Sequence, residues 1–226
     1  MRVLAIDTAL EACAVAVLDT EQGVLANESM PMARGHAEAL MPLIAYVMGQ
    51  ARTHFVELNR IAVTTGPGSF TGLRVGISAA RGIALASGRP AFGLTTLAAF
   101  AAPFIAKDDS IPVTVAIDAR HQHVYLQIFG PSGRTLVAPR ISSIRDAVRV
   151  SANGPARLIG NAARMLADAW PSNETPPRLV EERPAPDITW VARLGAAATG
   201  KPASPKPVYL RAPDAQPQAA ARLPRR

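Results

Sequence analysis

Ala5-Ile6-Asp7 closes an apolar strand, and Ala116-Ile117-Asp118 closes another 111 residues later. In both places a short turn follows and an alternating strand returns, so the flanking pattern repeats along with the three residues. A hairpin that recurs after half of a 226-residue chain constrains the fold to two similar α/β lobes, each opening on a hairpin with an aspartate at its turn. With 49% hydrophobic and 18% charged residues, the chain can bury a core in both lobes. It is too short for two large domains.

The remaining pattern fills in the lobes. Residues 2–7 and 12–18 read as the first hairpin, with a third strand over 24–29. Residues 37–50 carry Leu40, Leu43, Ile44, Val47 and Met48 at helical spacing; Met41 and Tyr46 widen the apolar stripe beyond one face. Pro42 must begin or kink that helix. A buried strand at 61–65 runs into Gly66-Pro67-Gly68-Ser69-Phe70-Thr71-Gly72. A helix over about 72–87 follows, capped by Ser69 or Thr71 and stopped at Gly88. Strand 91–95 and helix 96–105 complete a first lobe of residues 1–105. Strands 113–118 and 122–129, helix 142–150, strand 157–159 and helices 162–169 and 188–198 make a second lobe, 106–211, closing on extended 206–210. Eight of the 20 prolines fall in the first 150 residues and twelve in the last 76, so the last third is the more irregular.

The net charge of +7 is a tail property. Residues 201–226 hold six basic side chains against Asp214, a net +5, which leaves the first 200 residues at +2. The stretch 212–226 reads as a solvated basic extension. The opening MRVLAIDTALEACAVAVLD is interrupted by Asp7 and Glu11, which suits strands rather than a signal peptide. No run of about 18 apolar residues suggests a membrane span. A single cysteine, Cys13, permits no internal disulfide, and a cytoplasmic location is expected.

Three features carry possible chemistry. Asp7 with Thr8, Gly66 with Gly68, and Asp118 could form a phosphate loop, because hairpins of this kind hold a nucleotide's phosphates and metal in sugar kinases, actin and Hsp70-like ATPases. The plainer account is that aspartate suits a turn and glycine a strand-to-helix bend. The glycine segment is no P-loop, since no Lys-Ser or Lys-Thr follows it. Second, Gly72, Gly76, Ala80, Ala84 and Gly88 recur every four residues, a smooth ridge that invites close approach. With the wide stripe of Leu40, Met41, Ile44 and Met48 it reads as a helix-against-helix interface. A paralogous partner would complete it as a four-helix bundle, and a second copy of this chain would cover it in the partner's absence. Packing within the lobe explains the ridge equally well. Third, His36, His54, His121 and His123 show no His-Glu-x-x-His pattern, and no nucleophile has an adjacent base; metal and hydrolase chemistry are not expected.

The run Thr65-Gly66-Pro67-Gly68-Ser69-Phe70-Thr71-Gly72-Leu73-Arg74-Val75-Gly76 resembles the hallmark of the bacterial TsaB (YeaZ-type) family of tRNA threonylcarbamoyladenosine biosynthesis proteins. Ile6-Asp7-Thr8, the Gly35-His36 to Pro42-Leu43-Ile44 helix, Gly93-Leu94-Thr95-Thr96-Leu97, Ile117-Asp118-Ala119-Arg120 and Pro207-Val208-Tyr209-Leu210-Arg211 match in the same order. The likeness extends to about residue 215. It implies an actin/Hsp70-like ATPase (ribonuclease H-like) fold without catalysis of its own. It also implies a catalytic paralogue, TsaD, and a small ATPase, TsaE, as partners in transferring a threonylcarbamoyl group from its adenylate to the adenosine beside the anticodon of ANN-decoding tRNAs. ATP or ADP would then sit at the complex interface, held mainly by the partners. The catalytic paralogue binds metal through a His-x-x-x-His pair; the corresponding stretch here, Leu94 to Phe104, has no histidine. A small-molecule kinase or ATPase of the same fold, using Asp7 and Asp118, is the rival reading.

Overall fold

The computed structural model describes residues 1–200 and 203–211, and the doubled hairpin organises it. β1 (Arg2–Asp7) pairs antiparallel with β2 (Ala12–Asp19), which pairs antiparallel with β3 (Gly23–Pro31). On its other side β1 takes β4 (Arg60–Gly66) in parallel, and β4 takes β5 (Ala91–Thr95). The second sheet repeats this connectivity. β6 (Val113–Asp118), β7 (His123–Phe129) and β8 (Thr135–Ser143) form the antiparallel part, and β9 (Arg157–Ile159) and β10 (Leu179–Glu181) add in parallel. The orders β3-β2-β1-β4-β5 and β8-β7-β6-β9-β10 are equivalent. Asp7 and Asp118 therefore end equivalent central strands.

β8 and β10 are absent from the sequence pattern for physical reasons. β8 is a largely exposed edge strand interrupted by Pro139, and β10 has only three residues; neither offers the alternation that burial of one face imposes.

Helices cover both faces of the first sheet. α1 (His36–Gln50) and α2 (Phe70–Ser87) bury Leu40, Ile44, Met48, Leu73 and Ile77 against Leu4, Ile6, Val15 and Val63. Pro42 lies inside α1, at an exposed position, rather than beginning it. α2 starts two residues earlier than its pattern suggests, with the Ser69 hydroxyl accepting from Gly72 N at 3.3 Å and Gly88 ending it in the left-handed region at φ 65°. On the opposite face, α6 (Ile188–Ala197) places Ile188, Val191 and Ala192 against Val3, Ala5, Ala16 and Ala62. α3 (Thr96–Lys107) lies between the sheets, packing Leu97, Phe100 and Ala101 on Val113, Val115 and Ile117. α4 (Ile144–Ser151) and α5 (Ala163–Asp168) cover the far side of the second sheet.

The lobe boundary needs one correction. α6 lies in the sequence range of the second lobe, but its apolar face belongs to the first sheet. Arg60 from β4 ties it there, donating to the carbonyls of Gly195, Ala196 and Ala198 at 3.2, 3.1 and 2.6 Å. The chain thus returns to its starting lobe. Residues 203–211 continue along the ends of β4 and β5 toward the second lobe. The expected basic extension at 212–226 lies outside the described residues.

Candidate functional site

The Asp7 turn is sealed by its own chain. Asp7 is fully buried. Its Oδ1 accepts from Ala9 N at 3.0 Å and from the Thr64 hydroxyl, while Oδ2 has no partner. Thr8 Oγ1 donates to the Gly72 carbonyl at 2.7 Å, and Ser69 N donates to the Ala9 carbonyl at 2.7 Å. The Gly66–Gly72 segment therefore folds directly onto the β1–β2 turn. A methyl group on Gly68 would run into the Ala9 carbonyl, and one on Gly72 into the Thr8 carbonyl. Of the expected phosphate-loop residues, Asp7, Thr8 and Gly68 are thus brought together, but as a filled contact, while Gly66 backs onto Leu73 and the Val208 carbonyl. The space that a nucleotide's phosphates would need beside Asp7 is taken by backbone, so the turn does not fit ATP or ADP.

Burial pushes the Asp7 carboxyl above its ordinary value; the Thr64 and Ala9 hydrogen bonds and the charge of His36 offset this only in part. Folding then favours the protonated acid. The stability that this group contributes is complete below the ordinary carboxylate pKa and is lost as pH rises through the raised folded value. Asp7→Asn keeps an oxygen for Ala9 and Thr64 without the ionisation. Its melting temperature is expected to gain on the wild type as pH rises above the ordinary carboxylate range. Parallel curves above that range would contradict the sealed-turn account.

The equivalent turn in the second lobe is open. Asp118 is exposed; its Oδ1 accepts from Arg120 N at 2.7 Å, and its own N–H donates to Asn161 Oδ1 at 2.8 Å. Arg120, His121 and Gln122 follow with φ of 62°, 52° and 59°, a left-handed run that keeps the hairpin tight. The 203–211 segment straps the end of β4 to the second turn. Val208 N donates to Thr65 O at 2.8 Å, Leu210 enters the α3–β6 core, and Arg211 donates to Ala119 O at 3.0 Å.

The small-residue ridge faces inward, a second correction. Gly72 and Gly76 abut Thr8, with Ile6 and Val63 beyond Gly76, and Ala80 is fully buried in the first core; Ala84 is half-buried at its edge. Leu40, Ile44 and Met48 are also buried in that core, because α1 and α2 both press on the sheet. Of the expected interface residues, Met41 is freely presented, at 52% exposure.

The outward surface is a different set. Met41 of α1, Phe55 and Val56 of a 3-10 turn (Phe55–Glu57), and Ala79, Gly82, Ile83 and Ala86 of α2 line an apolar groove of about 410 Å³. Val56 is 69% exposed. Sequence reasoning named Met41 and missed the others. Their available signals were an apolar Phe-Val pair in an otherwise polar connection and a second line of small residues along α2.

Cys13 is fully buried and its thiol is pushed up to about 11 by burial and then by the nearby Asp7 charge, far from the thiolate range. His36 is buried with Nε2 3.0 Å from Leu10 O, and His123 sets Nδ1 2.7 Å from His121 O. Among the described residues, no three His, Cys, Asp or Glu side chains gather as a metal site, and no helix is long and apolar enough to cross a membrane.

Comparison with known proteins places the chain in a family. The profile of the family TsaD, tRNA N6-adenosine threonylcarbamoyltransferase, matches residues 22–176. The tRNA threonylcarbamoyladenosine biosynthesis protein TsaB of Escherichia coli (strain K12) is 39% identical over 125 residues, 55% of this chain and 53% of that protein. The match therefore spans about half the length of this curated relative. YeaZ from Pseudomonas aeruginosa superposes with a TM-score of 0.79 at 26% identity, covering 92% of this chain and 99% of that one. ROK hexokinase from Thermus thermophilus, at 15% identity, TM-score 0.50 and coverage of 87% and 99%, shares the fold alone. The two-lobed fold with its repeated sheet is thus that of the actin/Hsp70-like ATPases, and the chain belongs to the TsaD family as a TsaB/YeaZ-type member.

Proposed function

We propose that this chain is a noncatalytic docking subunit in the biosynthesis of tRNA threonylcarbamoyladenosine. The observation that carries the reading is the outward apolar groove between α1, the 3-10 turn and α2: a monomer gains nothing by leaving Met41, Phe55 and Val56 in water, and a helical partner would cover them. The sealed Asp7 turn supports the absence of independent turnover. A catalytic paralogue of the TsaD type is the occupant that completes the groove, with a second copy of this chain in its absence. A small ATPase of the TsaE type and the ANN-decoding tRNA join through the complex, in the cytoplasm. Any ATP or ADP is held mainly by the partner subunits. The rival reading, a small-molecule kinase or ATPase, needs open space at Asp7, where Gly68 and Ser69 lie against Ala9.

The test is turnover. The purified chain alone is expected to hydrolyse no ATP and modify no tRNA, while the catalytic paralogue with its ATPase is expected to modify tRNA only when this chain is added. ATP hydrolysis that survives rigorous purification and disappears in Asp118→Ala would overturn the reading.

A further inference from the structure

We propose that the outer stripe of α2, together with the strap that ends at Arg211, is a binding surface for single-stranded RNA; the inference rests on the reading that this chain works beside a tRNA. α2 carries Arg74 and Arg81 and no acidic residue. Phe70, one turn before Arg74, is 47% exposed, and Tyr209 of the strap, 48% exposed, lies beside it with ring centroids 5.5 Å apart and planes tilted by 30°. The Arg74 guanidinium sits 3.7 Å over the Phe70 ring, and its Nε donates to the Tyr209 hydroxyl at 3.3 Å. Its two terminal nitrogens meet no acceptor among the described residues. Arg81, on the same stripe, has no carboxylate partner among them.

The half-exposed Phe70 and Tyr209 rings, with the Arg74 guanidinium stacked on Phe70, match what unpaired nucleotides offer. Bases stack on aromatic and guanidinium planes, and phosphates take the free N–H groups. An acidic protein would engage the cations and leave the rings unused. The chain also continues past Arg211 into a stretch with Arg222, Arg225 and Arg226 against Asp214 alone, which adds charge of the sign that RNA attracts. Partner docking is not in competition, because the groove residues Ala79, Gly82 and Ala86 lie on another side of α2 by helical spacing.

The experiment is fluorescence anisotropy of the full chain with a labelled short unpaired RNA and with a blunt RNA duplex of equal length. The unpaired RNA is expected to bind more tightly. Tyr209→Ala is expected to weaken it ~5-fold or more, as loss of one base stack does, while Tyr209→Phe, which keeps the ring and loses the hydroxyl, binds as the wild type. Arg74→Ala with Arg81→Ala should lower the salt dependence by roughly 0.7 per arginine removed. Three results would overturn the proposal: no binding by the wild type, equal or tighter binding of the duplex, or wild-type affinity and salt slope in the double variant. Tyr209→Phe falling as far as Tyr209→Ala would also overturn it, by marking the cluster as a clamp for the strap only. Sedimentation of the same variants with the catalytic paralogue reports docking separately, so failure of the RNA surface and failure of the docking role remain distinct.

Discussion

A Gly72→Ala chain is expected to lose about 2–3 kcal/mol of stability, whereas Gly82→Ala on the same helix is expected to gain up to about 1 kcal/mol. Alanine is the better helix former at both positions, so propensity alone predicts two gains. Space decides the sign. At Gly72 the added methyl meets the Thr8 carbonyl, part of a backbone turn anchored by the Asp7–Thr64 contact, and the Thr8 hydroxyl bond to Gly72 O is displaced with it. Overpacking against fixed backbone, toward the upper half of the ~1–3 kcal/mol range, and the loss of a hydrogen bond worth ~1 kcal/mol outweigh the ~1 kcal/mol of propensity. At Gly82 nothing lies within 4 Å of the new methyl. In a chain of this size the melting temperatures should move by roughly −5 to −10 °C and +1 to +4 °C. Thermal unfolding by circular dichroism checks both. A stable Gly72→Ala beside a destabilised Gly82→Ala would mean that α2 presents the opposite side to the sheet.

Ala86→Arg carries the second large effect. Ala86 is exposed in the groove beside Val56 and Ile83, and arginine is nearly as good a helix former as alanine, so the isolated chain should fold with unchanged melting. A partner covering the groove would have to bury an unpaired guanidinium, at a cost of at least ~3 kcal/mol, or a hundredfold or more in affinity. Light scattering of the chain alone should therefore lose any dimer. A dimer of wild-type strength in the folded variant would place the self-association surface elsewhere. Ala80→Arg is the instructive contrast. Ala80 is fully buried, so that variant should fail to fold rather than fail to pair.

The repeated hairpin was legible because each central strand and the strand that follows it are short apolar runs joined by a turn that starts at an aspartate, and that pattern needs no tertiary information. The direction of the α2 ridge was not legible. Small residues at every fourth position permit close approach by anything, and the sequence does not say whether the approaching group is a partner's helix or the Thr8 turn of the same chain. α6 reads as a helix from its apolar spacing, but its choice of sheet depends on contacts with Val3 and Ala62 that lie more than a hundred residues away. Asp7 and Asp118 share a turn signature yet differ in burial, because the Gly66–Gly72 loop and Thr64 close over the first whereas Asn161 meets only the backbone of the second. The groove escaped notice because Phe55 and Val56 sit in a 3-10 turn, where no periodicity marks an exposed apolar pair.

Sedimentation velocity of the full chain with a TsaD-type paralogue tests the proposed docking role most directly. Equimolar wild-type chains are expected to move as one heterocomplex. With Ala86→Arg, two separate boundaries are expected at the same concentrations, and circular dichroism should show the variant folded. A heterocomplex of undiminished affinity formed by the folded variant would contradict the account.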